Sequence, residues 1–228
     1  MFNIDIPNID IDFDVNIGSD DIDSRYSKPK SYSGIKQKHV KYNNALKMAK
    51  ETRIGENERI DCLVSGNFIF GDFIEAYFVE HQIHTERLVI STLSMSQNNI
   101  DSLKTLMVKG YVDNLDIVVS RYFFGLEKWK LIPYLYQELD FDERFQLAVA
   151  AVHTKVMLAK TLGEKHLVIT GSANLRSSMN IETFMIEDNK QSYEFHLDYH
   201  DKIMEKYKTI NKQKTPKRGD LWGVVKGK

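Results

Sequence analysis

The sequence predicts an α/β protein: a mostly parallel central sheet flanked by helices on both faces, with irregular N- and C-terminal extensions. Three observations carry this. Short apolar runs rich in β-branched residues, such as Arg87-Leu-Val-Ile-Ser-Thr-Leu93 and Leu115-Asp-Ile-Val-Val-Ser120, alternate with helix-like stretches, the order that parallel strands joined by helices require. The chain has 228 residues, 42% of them hydrophobic, enough for one sizeable core with appendages. Charge is segregated to the ends although the formal net charge is only −1, so the flanks differ in character from the middle.

In chain order, residues 1–24 carry seven Asp and no Lys or Arg. From Ile9 they alternate apolar and polar as a half-buried strand does, which allows them to add to the sheet edge of a partner, but a position at the chain terminus favours a peripheral acidic tail. Residues 25–59 read as a basic linker and helix. Within them, 25–50 hold eight Lys or Arg and no acid, with Tyr26, Tyr32 and Tyr42 interleaved among Lys28, Lys30, Lys36, Lys38 and Lys41. Such cations neutralise backbone phosphates while the rings stack on unpaired bases; the alternative is a solvated linker that turns helical near 43–54. A globular domain over 60–207 follows. It starts with a short strand at 61–65 and an aromatic-rich helix at 72–81, then the buried strand at 87–93. Next comes a helix opening at Ser96 and stopping at Gly110, the strand at 115–120, and a helix over 127–138. Two apolar runs and a closing helix over 192–207 complete it. From Lys202 onward nine basic residues face two acidic ones, and 208–228 form a basic tail in which Lys214, Lys217 and Arg218 are further candidates for phosphate contacts.

The two apolar runs carry the chemistry. Ala148-Val-Ala-Ala-Val-His153-Thr-Lys155-Val-Met-Leu158 and Leu167-Val-Ile-Thr-Gly171-Ser172-Ala-Asn174 each end in polar groups, as two neighbouring strands do when they deliver side chains to one rim. Histidine attacks phosphorus when unprotonated and protonates a leaving oxygen when protonated. Lys155, two residues on and on the same strand face, holds a phosphate oxygen. Gly171 permits close backbone approach, and Ser172 and Asn174 donate to anionic oxygens. Glu182 is placed to fix the imidazole tautomer.

His153-x-Lys155, Gly171-Ser172-x-Asn174 and Glu182 together resemble the HKD motif of the phospholipase D superfamily. Its usual pattern is His-x-Lys, four residues, Asp, six residues, then Gly-Ser-x-Asn or Gly-Gly-x-Asn. This sequence has Lys160 where the Asp stands, and its Gly171 comes four residues late. The extra length contains Leu162-Gly163-Glu164-Lys165, which reads as a hairpin turn. The resemblance implies a phospholipase D-like fold and a metal-independent phosphodiesterase without cofactor, working through a phosphohistidine. Members with two motifs in one chain use one His to attack and the other to protonate. Here only one motif is found, which implies a homodimer that assembles one site across a two-fold axis, as in the small nucleases of the superfamily.

Substrate is read from charge. Basic segments favour a polyanion, and neither an amphipathic membrane helix nor a signal peptide is evident, so a DNA endonuclease is expected over a lipase or phosphatidyl transferase. The alternative is a nucleic-acid-binding or structural protein that keeps the fold and has lost turnover. A single cysteine, Cys62, and no apolar run of membrane-spanning length predict a cytoplasmic protein without a membrane partner. His81 with His84, and His196 with His200, read as surface residues rather than metal ligands. Gly66-Asn-Phe-Ile-Phe-Gly71 lacks the Gly-Lys-Ser/Thr of a phosphate loop. Glu75 and its Phe-rich helix read as core and dimer surface.

Overall fold

Alternating apolar residues give both faces of one sheet something to bury, and the chain covers the two faces unequally. The computed structural model describes residues 27–32, 35–42, 45–64, 69–176 and 180–209, with side chains from 45 onward. The acidic segment 1–24, and Lys214, Lys217 and Arg218, lie outside them. In chain order the elements are β1 (Ser27–Tyr32), β2 (Ile35–Tyr42), α1 (Ala45–Glu51), β3 (Arg59–Val64), α2 (Phe70–Glu80), β4 (Thr85–Thr92), α3 (Gln97–Val108) and β5 (Val112–Ser120). There follow α4 (Arg121–Glu127), α5 (Leu131–Leu139), β6 (Phe145–Ala150), β7 (Val156–Thr161), β8 (His166–Gly171), β9 (Glu182–Asp188) and α6 (Lys190–Tyr207). The sheet runs β1-β2-β3-β9-β8-β7-β4-β5-β6.

On one face, Leu88 and Ile90 of β4, Ile117 of β5, Met157 of β7 and Ile169 of β8 pack with Phe73, Tyr77, Leu103 and Leu135 of the helices in the main core. Each such side chain contributes about 1.5–3 kcal/mol by leaving water. On the other face a single helix among the described residues, α6, lies across the sheet: Tyr193 and Leu197 cover Val89, Leu158 and Val168, and Ile203, Met204 and Tyr207 cover Val118, Ala148 and Ala150. Helices on both faces of an α/β sheet are thus as the sequence predicts.

The strand directions are not. Parallel pairing occurs at β2·β3, β4·β5 and β5·β6, whereas β1·β2, β3·β9, β8·β9, β7·β8 and β4·β7 are antiparallel. Parallel neighbours need a crossover, and helices supply one only in the earlier part of the chain; from β7 onward short links force antiparallel neighbours. The basic linker is also revised. Its residues form β1 and β2, and β2 pairs in parallel with β3 from Gln37↔Arg59 to Tyr42↔Val64. Lysine-rich strands at a sheet edge have the composition of a solvated linker, because edge charge blocks further pairing. Finally, the helix expected over 127–138 is α5, which starts only at Leu131, and a separate helix that the sequence did not predict, α4, precedes it. Pro133 has no N–H to give to a carbonyl four residues back, so a continuous helix through 129–133 would be broken there. The start at Ser96 and stop at Gly110 hold: Ser96 Oγ accepts from Asn99 N at 3.4 Å while Asn99 Oδ1 accepts from Ser96 N at 2.8 Å, and Gly110 has φ +73°.

Candidate active site

One end of the sheet gathers the motif. The registers Ser91↔Val156, Val156↔Thr170, Gly171↔Phe184 and Val64↔Glu182 bring the end of β4, the start of β7, the end of β8 and the start of β9 to the same rim. β6 ends there too, with Ala150 opposite Ser120. β6 is an edge strand and β7 lies three strands in, so residues 151–155 cross roughly 14 Å over the ends of β5 and β4. His153 and Lys155 therefore sit on this crossing and not on a strand, as the sequence had suggested. The crossing is pinned to β4, where Ser91 Oγ lies 2.6 Å from Thr154 Oγ1.

Lys155 is at the centre. Its side chain is buried, and its Nζ lies 3.1 Å from both Nδ1 and the carbonyl oxygen of the exposed His153. An ammonium has only protons to give, so Nδ1 is the acceptor here and the ring proton belongs on Nε2. Burial holds the Lys155 pKa below the ordinary lysine value, and the nearby Glu182 carboxylate opposes that shift. Its carbonyl oxygen accepts from Gly171 N at 3.2 Å, tying the two halves of the motif together.

Gly171 is required by close approach: a Cβ there would lie 2.7 Å from Phe184 Cα and overlap the Thr183 carbonyl of β9. This contact sets Ser172 against β9. Ser172 N donates to Thr183 O at 2.8 Å, Ser172 Oγ accepts from Thr183 N at 3.0 Å, and the hydroxyl proton goes to Glu182 Oε2. Glu182 therefore takes the Ser172 hydroxyl, while Nδ1 of His153 faces Lys155. Asn174 keeps its amide partly buried, with Oδ1 enclosed and lacking a hydrogen-bond partner among the described residues. That oxygen can only accept a hydrogen bond, so it is the Nδ2 end of the amide that can donate to an anionic oxygen. Leu175 O, just beyond, accepts from Gly71 N at 3.0 Å, so the start of α2 anchors this loop.

Lys160 stands at the opposite end of β7 from Lys155, exposed and 3.0 Å from Glu164 in an i,i+4 pair. The extra length falls where expected, in the hairpin at 161–165, with Thr161 N donating to Lys165 O at 2.9 Å. Lys28, Lys30, Lys36, Lys38 and Lys41 lie on β1 and β2. His81 and His84 contact the carbonyls of Ala49 and Gly110 through one ring nitrogen each. His196 and His200, expected at the surface, are turned toward the sheet: His200 is fully buried, and burial pushes its pKa down to about 4. The spacing of Tyr193, Leu197, His200 and Met204 on α6 makes them one buried face. Among the described residues no group of three or more His, Cys, Asp or Glu is placed to hold a metal ion, and no helix is long and apolar enough to cross a membrane. Ser91 and Thr154 were not singled out from sequence; polar residues closing the apolar run of β4 at a strand's C-terminal end were the available signal.

No family model matches the chain, and no curated protein does. Among solved structures, phosphatidylserine synthase of Haemophilus influenzae Rd KW20 superposes with a TM-score of 0.50 at 12% identity, covering 74% of this chain and 44% of that one. The chain thus matches less than half of the synthase. The phospholipase D family member Nuc of Salmonella typhimurium gives a TM-score of 0.47 at 16% identity over 65% of this chain and 95% of its own. NucT of Helicobacter pylori gives 0.41 at 16% over 65% and 97%. At these identities the likeness is one of fold, and that fold is phospholipase D-like, as the sequence resemblance implied.

Proposed function

From a phospholipase D-like fold with His153, Lys155, Ser172, Asn174 and Glu182 at one rim, we propose that the chain is a phosphodiesterase, and specifically a metal-independent DNA endonuclease that works as a homodimer. The observation that carries this is the contact of a buried lysine with an exposed histidine, both Lys155 distances being 3.1 Å, in electrostatic reach of Glu182. An incoming phosphate draws the Lys155 ammonium off Nδ1 and onto a non-bridging oxygen, and Asn174 donates to a second. Ser172, committed to Glu182, holds that carboxylate in place for the imidazole. His153 then attacks phosphorus, the bond to the leaving oxygen breaks, and the partner subunit's His153 gives that oxygen a proton. The same partner residue, now neutral, takes a proton from water; the water oxygen attacks phosphorus and the P–N bond breaks. Charge that builds on the non-bridging oxygens is met by Lys155 and Asn174, which is the compensation a metal supplies elsewhere.

The basic segments 25–50 and 202–228 favour DNA as the phosphodiester. The test is cleavage of DNA in excess chelator by wild type and His153→Ala, with sedimentation of both. We expect cleavage by a wild-type dimer, loss of at least about 10⁴-fold in the variant, and an acid-labile phosphoenzyme in wild type alone. A strict need for a divalent ion, undiminished cleavage by His153→Ala, or full activity in a monomer would refute the scheme. One observation favours a second reading, a binding protein without turnover: the ammonium of Lys155 covers the nitrogen of His153 that lacks a proton. Tight DNA binding with no cleavage at any pH would decide for it.

A further inference from the structure

α4 begins one residue after Ser120, the residue of β5 that pairs with Ala150, so its first turn stands beside the crossing that carries His153. Its inner face is core, with Phe123 and Phe124 buried. Tyr122 and Leu126, 70% and 61% exposed and four residues apart, share its outer face, and the 48% exposed Trp129 follows in the turn between α4 and α5, extending a stripe of exposed apolar groups along the chain. Arg121, Lys128 and Lys130 belong to the same segment, 121–130, in which Glu127 is the one acid, and the Lys128 ammonium lies 5.6 Å from the Trp129 ring centroid. Large exposed apolar groups in a row call for an occupant.

We propose that this stripe is a stacking platform for the unpaired bases of a single nucleic-acid strand, whose phosphates run along Arg121, Lys128 and Lys130 on their way to His153. Charge complementarity selects the occupant. A second copy docked here about a two-fold axis would set these cations against their own counterparts, whereas a polyanion matches them, and base faces match the two rings. The inference rests on the phosphodiesterase reading only for where the strand leads; binding itself is separable from turnover.

The experiment measures anisotropy of a fluorescein-labelled oligothymidylate of about 20 nucleotides, and of a duplex of equal length, with full-length protein carrying His153→Ala so that nothing is cleaved. Tyr122→Ala and Trp129→Ala should each weaken single-strand binding about tenfold and duplex binding by less than about twofold, while Trp129→Phe retains most of the affinity. Arg121→Gln and Lys130→Gln should weaken both and reduce the single-strand salt slope by about 0.7 per residue. Equal losses on duplex, unchanged binding in the aromatic variants, or no binding to either probe would overturn the platform. So would a dimer that dissociates on Tyr122→Ala, or vesicles with anionic lipid bound through Trp129 in place of the oligonucleotide. If wild type cleaves no nucleic acid yet the aromatic variants lose single-strand binding selectively, the platform stands and the catalytic scheme falls. If wild type cleaves and those variants bind unchanged, the platform falls alone.

Discussion

Lys155, one residue ahead of β7, and Lys160, near that strand's far end, are five residues apart, and the chain treats them in opposite ways. Lys155 is buried against His153 with its pKa lowered by burial; Lys160 is exposed beside Glu164, whose hydrogen bond and charge raise its pKa. At the hairpin end polar groups find partners, as Lys165 Nζ does in donating to Ile54 O at 2.6 Å. At the rim they are held short of satisfaction, as the enclosed Asn174 Oδ1 shows. One strand thus has a hairpin end whose cation is paired with a carboxylate and a rim end whose buried cation meets an exposed histidine, and the motif position that carries an Asp in the resembled family lies at the former.

The contrast is broken most sharply by substitution at the two lysines. Lys155→Ala should lower kcat/KM on DNA by about 10³-fold, on the order of 4 kcal/mol of transition-state stabilisation, while Lys160→Ala stays within about threefold of wild type. Comparable losses at both sites would mean that the hairpin end also takes part. Next in size, Gly171→Ala should destabilise the fold by about 2–3 kcal/mol in urea, since the added methyl meets β9 backbone that cannot yield without unpairing; an unchanged midpoint would show that β9 gives way freely. The smallest effect is in pH dependence. Burial favours the neutral amine, so Lys155 loses its proton at lower pH than a free lysine, and its hold on phosphate is lost earlier as pH rises. The alkaline limb of kcat/KM should therefore fall below the ordinary lysine value of about 10.4 and move upward in Lys155→Arg. A limb that does not move would assign it to another group.

Much of this is legible in the sequence. Apolar runs located the strands, Leu162-Gly163-Glu164-Lys165 located the hairpin, and His-x-Lys with Gly-Ser-x-Asn located the rim, because each is a local signal. The direction of the strands was not legible, since an apolar run looks alike beside a parallel or an antiparallel neighbour, and which neighbour it takes is settled by links far away in sequence. The burial of His200 is hidden for a related reason: a helix with polar residues on every side does not show which face it buries until the sheet beneath it is known. The pairing of Ser172 with Glu182 depends on how closely β9 approaches Gly171, a distance that spacing along the chain does not encode.

The crossing at 151–155 acts as a ruler. From Ala150 to Val156 the backbone can span about 20 Å when fully extended, against roughly 14 Å of lateral distance to cover. One residue fewer leaves little slack, and two fewer leave none, so the link could close only by unzipping the end of β6 or β7. Added residues would meet no such barrier to folding, but would let the imidazole drift from the groups it works with. Natural variation in the length of this protein should therefore gather at the hairpin on the far end of the sheet, and the distance between His153 and Lys155 should be the dimension that drift leaves alone.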